Sequence, residues 1–304
     1  MEKPIVHIPV LLQEVLAVFN PQKGEIYIDA TVNGGGHAYA LAERVGAEGK
    51  ILGIDRDCDL IERMQEECAR KEIHQIIPRC ASYRDMEVVA EAESIRNAHG
   101  ILFDLGFSSY HIDRSQRGFS FLRDEPLDMR YSPHMQDTTA AMIINQWEKE
   151  DLAQLFWDEG GERYARRIAK TIIDERRRKK IMRTQDLCKI IAHSIPAGAK
   201  KLFLHPATRV FQALRIAVND ERTHLKGGIA AAAQLLKEEG ILLVIAFESG
   251  EARILKSIMH PLLKNGTFDM LTKNVVKPGQ EELRHNPSAR SAVMRAYRKN
   301  AFFS

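Results

Sequence analysis

Residues 26–37 read IYIDATVNGGGH, a β-branched run closed by a carboxylate and followed by three consecutive glycines. Each glycine costs roughly 0.5–1 kcal/mol more than alanine in ordering entropy, so a plain turn has little use for three. A strand, a glycine loop, a helix, a second strand and a terminal acid together describe a nucleotide-type half-site. In such a site bare backbone approaches the ligand and the acid accepts from ribose hydroxyls. The second strand is ILGID, and its Asp55 stands nineteen residues beyond Gly36. Gly34, Gly35, Gly36 and Asp55 are therefore candidate cofactor residues. The dinucleotide fingerprint wants a third glycine where this chain has Tyr39. Asp29, at the end of the first strand, would repel a pyrophosphate but accept from an amino group. S-adenosylmethionine (AdoMet) has an α-amino group and no phosphate, so the sign of the charge favours AdoMet over NAD.

The rest of the chain fits a sheet enzyme carrying an insert. Short apolar runs at 26–30, 51–55, 101–105 and 241–247, with a weaker one at 75–78, alternate with helical patterns at 10–19, 37–45, 59–71, 83–92 and 229–239. Alternation of this kind predicts a parallel, doubly wound sheet, which 268–273 and 292–298 complete. From about Tyr110 to Ala207 the pattern turns helical, over 138–146, 149–159, 163–178 and 184–194. At 304 residues with 44% hydrophobic and 28% charged residues, the composition excludes disorder and fibre. No apolar stretch approaches a membrane span, and the N-terminal residues lack a secretory or transit pattern, so a cytoplasmic protein is expected. The four cysteines form no CxxC pair and no metal-ligand spacing, which predicts reduced thiols, with neither zinc nor disulfides.

The net charge of +3 is small but unevenly spread. Between Arg163 and Arg183 ten Lys or Arg residues face two acids, Asp174 and Glu175. Arg163, Arg166, Arg167 and Lys170 recur at i, i+3, i+4, i+7 on one helix face, opposite Ala165, Ile168, Ala169 and Ile172. Such a face is a footprint for phosphates, and a solvated surface is its ordinary alternative. Thr208, Gln212, Arg215 and Asn219 form a second, polar stripe that suggests a lined cleft. Asp104 leaves the carboxyl end of the HGILFD strand, the edge where open α/β sheets bind ligands. An acceptor there suits methylation of an exocyclic base amine, whose lone pair is delocalised into the ring. Phe107 then supplies a loose acid-x-x-aromatic arrangement for stacking the base.

HIPVLLQEV (7–15), GGGH (34–37), GIDRD (53–57), DLGFSS (104–109), RGFSF (117–121), PLDMR (126–130), GERYARRIA (161–169), HPATRVFQALRIAVNDE (205–221) and NPSARSA (286–292) are the most informative blocks. Together they resemble the RsmH/MraW family of small-subunit (16S) ribosomal RNA cytosine-N4 methyltransferases. The resemblance spans nearly the whole chain. It implies an α/β protein with a class I, Rossmann-like AdoMet-dependent methyltransferase sheet and an inserted helical subdomain. The expected boundaries are 1–109 and 208–304 for the two parts of the methyltransferase domain and 110–207 for a substrate-binding insert. The implied reaction is N4-methylation of a cytidine in the decoding region, on free rRNA or the assembled 30S subunit, with the oligomeric state open between monomer and homodimer.

Carried over by position, Gly35, Gly36, His37, Asp55, Asp104 and His111 match the family's cofactor residues, and Tyr83, in SYRDM, its cofactor aromatic. Asp104 is the expected catalytic acceptor. Arg117, Arg130, Arg166, Arg167, Lys170, Arg209 and Arg215 are expected to hold substrate, with His205 and His7 approaching the base. His111 stands where the family usually has glutamine. After the fifth strand this chain reads FESGEAR where the family has a histidine at Glu248 and an aspartate at Ala252. Competing readings are an RNA-binding assembly factor without methyl transfer, a DNA amine methyltransferase and an NAD dehydrogenase.

Overall fold

The computed structural model describes residues 9–106, 109–196 and 205–301, apart from the side chains of Ser109 and Asp113. It divides into two compact units, residues 1–108 with 222–304 and residues 109–221. The first is built on a seven-stranded sheet. Its strands are β1 (Ile26–Asp29), β2 (Lys50–Asp55), β3 (Ile76–Cys80), β4 (Ala98–Asp104), β5 (Leu236–Ala246), β6 (Phe268–Met270) and β7 (Val293–Lys299). The order is β3-β2-β1-β4-β5-β7-β6. Strands β1 to β5 pair in parallel and β7 runs antiparallel between β5 and β6.

Parallel strands must be covered on both faces, because each crossover lays a helix on the sheet. The covering helices here include α1 (Leu12–Phe19), α2 (Gly36–Val45), α3 (Cys58–Arg70) and α4 (Met86–Ala92). Their apolar sides and the strands form two buried clusters. One contains Ile28, Leu52, Ile54, Ile101 and Phe103, and the other Tyr27, Ile51, Leu102, Leu243 and Ile245. Neighbouring strand residues thus enter different clusters, as a period of two requires.

The second unit consists of α5 (Ser109–Asp113), α6 (Ala140–Gln146), α7 (Lys149–Asp158), α8 (Ala165–Arg176), α9 (Thr184–Ser194) and α10 (Thr208–Val218). Its own core brings together Ile143, Ile144, Leu152, Phe156, Ile168, Ile172, Leu187 and Ile191. The unit continues to Glu221, fourteen residues beyond the boundary expected at 207. The reason is packing: Val210, Phe211, Ala213, Leu214 and Val218 of α10 belong to this helical core.

Two further expectations change. The helix expected at 229–239 is α11 (Glu221–Leu235), and β5 already begins at Leu236. Pairing of Ala98 with Leu236, followed by a register shift before Gly100, recruits residues 236–240 into the strand. Cys58 and Cys80 form a disulfide with Cα atoms 5.0 Å apart, while Cys68 and Cys188 are free. A separation of 22 residues gives no sequence signal for this pair. Tertiary register supplies it, since Asp55 lies opposite Cys80 and Cys58 starts the helix that follows Asp55.

The glycine run has internal reasons of its own. Gly35 adopts φ +82°, and a Cβ there would lie 2.6 Å from the Tyr39 ring; at Gly36 it would meet the Pro9 ring at 2.9 Å. Gly35→Ala therefore combines a left-handed backbone with a steric clash. It should lower stability by about 1–3 kcal/mol, measured as a reduced urea midpoint with an unchanged m-value.

Candidate active site at the carboxyl edge of the sheet

After β1 the chain stays pinned between its two neighbours. The Ala30 amide donates to the Leu102 carbonyl and the Val32 amide to the Ile54 carbonyl, both at 2.9 Å. The Asp104 amide donates to Thr31 Oγ1 at 2.7 Å, and the Asn33 amide to Asp55 Oδ2 at 2.8 Å. Asp55 Oδ1 accepts from the Asp57 amide at 2.9 Å. The glycine loop and the acids ending β1, β2 and β4 are thereby assembled from adjacent parallel strands. This is the edge at which an open α/β sheet binds its ligand.

Asp29 and Asp104 are buried, at 1% and 3% exposure. Burial pushes the Asp29 carboxyl up to about 7, with the nearby Asp55 charge adding to the rise. The Asp104 carboxyl is pushed up to about 8, first by burial and then by the charges of Asp29 and Glu282. His37 donates from Nε2 to the Val10 carbonyl at 3.0 Å if its proton sits there. Its Nδ1 then faces Asp104 Oδ2 at 3.8 Å. Asp104 Oδ1 is buried with no hydrogen-bond partner among the described residues.

The neighbouring charges acting on these carboxyls are negative. A cationic ligand relieves that repulsion, whereas a pyrophosphate increases it. AdoMet, with its sulfonium and α-amino group, fits this donor set. Gly34, Gly35, Gly36, His37 and Asp55 stand where backbone and carboxylate can meet it. Tyr83 follows β3, its ring edge-on to Phe103 at 5.6 Å between centroids. A Cβ at Gly228 of α11 would approach that ring to 2.6 Å. His111 lies in the helical unit, buried in an aromatic cluster with its centroid 4.9 Å from Tyr131 and 5.1 Å from Phe119.

The departure at FESGEAR acquires a structural account. Glu248 precedes α12 (Ser249–Lys264) and forms a capping box with Glu251, which also accepts from the Phe247 amide at 2.8 Å. Glu248 lies 3.6 Å from the Arg222 guanidinium. The carboxylate thus caps the helix end and places its Oε2 within ion-pair range of an arginine.

Several expected substrate residues are engaged within the helical unit. Arg117 donates to the Tyr131 carbonyl at 2.7 Å, and Arg130 makes a two-pronged contact with Asp128 at 2.7 and 2.8 Å. Arg215 grips Glu221 in the same way at 2.8 and 3.0 Å. Asn219 is fully buried and holds the Met129 carbonyl and the Tyr131 amide. The polar stripe of α10 is therefore an internal hydrogen-bonded seam at these two positions rather than a lined cleft. Sequence reading missed Tyr131, 88 residues from Asn219, because that contact depends on long-range packing, and missed Glu221, six residues after Arg215, because it follows the end of α10 at Val218. By contrast Arg166, Arg167 and Lys170 are exposed, Arg209 is half-buried, and exposed His205 stacks on Phe121 at 4.5 Å. His7 and Phe107 lie outside the described residues.

No helix among the described residues is long and apolar enough to cross a membrane, and no acid, histidine or cysteine cluster there could hold a metal ion.

A sheet in the order 3-2-1-4-5-7-6 with an antiparallel seventh strand, carrying a glycine loop after β1 and an acid after β2, defines a class I AdoMet-dependent methyltransferase. The model of the MraW methylase family matches residues 4–300, and the chain belongs to that family. The ribosomal RNA small subunit methyltransferase H of Persephonella marina is 38% identical over 294 residues, covering 96% of this chain and 99% of the relative. The protein of the same name from Thermomicrobium roseum is 41% identical over 313 residues, covering 97% and 95%. An rRNA methylase structure from Streptococcus thermophilus superposes with a TM-score of 0.45 at 8% identity, over 99% of both chains.

Two substitutions test these assignments. Asp104 binds its proton more tightly folded than unfolded, so its contribution is intact in acid and declines as pH rises from about 4 towards about 8. Asp104→Asn should leave the ligand-free melting temperature near wild type below about pH 4 and raise it progressively above that, by several degrees at pH 8.5. Arg215→Ala removes the two-pronged partner of half-buried Glu221, which keeps its hydrogen bond from Tyr131, and should cost about 1–3 kcal/mol in a denaturant titration. A pure phosphate contact at Arg215 predicts no change in that titration.

Proposed function

We propose that the chain transfers a methyl group from AdoMet to N4 of a cytidine in the decoding region of small-subunit ribosomal RNA. The observation that carries this reading is Asp104. It is a buried carboxylate at the carboxyl end of β4 whose Oδ1 has no partner among the described residues. Both relatives described above are named as small-subunit ribosomal RNA methyltransferases, which supports the substrate class.

Bound AdoMet supplies a methyl group already activated by its sulfonium, so the protein's task is largely one of position. Holding two reactants in line can contribute about 7–11 kcal/mol to the barrier reduction. Asp55 accepts from ribose hydroxyls, while the backbone at Gly34–Gly36 permits close approach. Tyr83 offers an aromatic edge, and His37 completes the contacts to the methyl donor. Asp29 provides compensating negative charge. Asp104 Oδ1 accepts from the N4 amine, whose lone pair becomes more available as its N–H bond is polarised. The N4–methyl bond forms as the sulfur–methyl bond breaks, and the N4 proton passes to Asp104 or to water.

A cytidine must leave its stack to reach such an acceptor, which is easier in an RNA loop than in a duplex. Arg166, Arg167, Lys170 and Arg209, in the helical unit, offer positive charge to phosphates of the same RNA.

The charge balance makes a direct prediction. Cation binding lowers the proton affinity of Asp29 and Asp104, so ligand binding releases protons from carboxyls that titrate near 7 and 8 when empty. AdoMet affinity should therefore rise between pH 6 and 8, by up to about tenfold per unit for one released proton, and level off above pH 8.5. Calorimetry in buffers of differing ionisation enthalpy reads the proton release. Mass spectrometry of 30S particles incubated with enzyme and AdoMet should show new N4-methylcytidine, with at least about a hundredfold lower rate for Asp104→Asn. Transfer to another atom or to DNA alone would reject the proposal.

A further inference from the structure

Helices α7 and α8 present one face each to an open groove of about 980 Å³. The α7 wall carries Ala153, Gln154 and Trp157, and the α8 side carries Arg163, Arg166, Arg167 and Lys170. Trp157 is 59% exposed, which is unusual for the largest apolar side chain. The four cations make no hydrogen bond or ion pair with any described residue, although cations further along are paired, such as Arg178 with Glu175 and Lys179 with Asp186. The one acid of the groove, Glu150, is paired with Lys149 at 2.8 Å. An exposed indole beside unpaired guanidinium groups is a combination that a solvated helix face does not require.

We infer that this groove is a stacking site for an unpaired nucleobase of the RNA, received on the Trp157 indole while its flanking phosphates lie on Arg163, Arg166, Arg167 and Lys170. The inference rests on the proposed RNA substrate and adds to it a class of RNA and a contact residue. Charge complementarity selects a polyanion. The indole then selects a single strand among polyanions, because duplex bases keep their faces covered whereas an unpaired base can stack on tryptophan or arginine. Ala153, one turn before Trp157, leaves the indole face open on its own helix.

The sequence contains two tryptophans, so a Trp147→Phe background leaves Trp157 as the sole indole reporter. The probes are a twelve-nucleotide single-stranded RNA of mixed sequence, the same sequence as a duplex, and polyglutamate of matching charge. The single strand should quench the fluorescence; the duplex and polyglutamate should leave it nearly unchanged. Trp157→Ala should weaken single-strand binding at least fivefold, and Trp157→Phe less than threefold, with both melting temperatures near wild type. Removing Arg166 and Arg167 together should reduce the slope of log K against log salt by about 1.4.

Absence of quenching, equal quenching by duplex or polyglutamate, or unaltered affinity in Trp157→Ala would overturn the site. Methyl transfer to 30S particles is followed in parallel. Transfer without quenching removes the stacking site and leaves the proposed activity, whereas quenching without transfer leaves the site and removes that activity.

Discussion

The sheet unit is organised around one electrostatic conflict, carboxylates buried at the ends of adjacent parallel strands. Asp29 and Asp104 occupy positions where the pleat and the parallel hydrogen bonding leave little access to water. Isolated charges there would be costly, so the folded protein raises their proton affinity instead. Such an arrangement works against ligand-free stability and is sensible only if something positive arrives. The donor of a methyltransferase is positive where it reacts and positive again at its amino group, so one pair of acids can serve recognition and chemistry.

A second constraint holds the helical unit. Arg117, Met129, Tyr131, Asn219 and Glu221 come from three sequence blocks separated by up to about a hundred residues, yet they share one hydrogen-bonded seam. The Met129 amide donates to the Arg117 carbonyl, and Met129 itself takes φ +65°. Left-handed backbone at a buried methionine persists only where surrounding contacts fix it. The RGFSF, PLDMR and HPATR blocks are thus informative in part because they fold together. Their specificity as sequence motifs does not make each arginine within them a substrate contact.

This difference marks how far the sequence is legible. Alternating strands and helices, the glycine loop and Asp55 follow local rules of spacing, and most of the observed elements begin and end within a few residues of those expectations, although α11 starts eight residues before the expected 229. Asp104 is legible for the same reason, since a carboxylate closing an apolar run projects from a strand end. The Cys58–Cys80 pair and the Tyr131–Glu221 contact are not, because each depends on register or on packing of distant segments that no local window contains. The start of β5 at Leu236 is a similar case, set by Ala98 across the sheet. Resemblance supplied His37, Tyr83 and His111, and for His37 the geometry gives a reason: its ring bridges the Val10 carbonyl and the Asp104 carboxylate.

Net charge conceals the most consequential feature of the chain. A total of +3 combines carboxylates concentrated at the sheet edge with unpaired cations concentrated on α8. The two distributions obey opposite requirements. A site for a sulfonium donor needs negative charge held dry, where each interaction is strong because water is excluded. A surface for RNA needs positive charge left wet and mobile, where counterion release drives association and allows release after turnover. Mixing the two would weaken both, since phosphate would be repelled from the acids and the donor from the arginines. Segregation into separately cored units allows each field to develop on its own scaffold, and it explains why an inserted helical unit, rather than a longer loop at the sheet edge, carries the basic face.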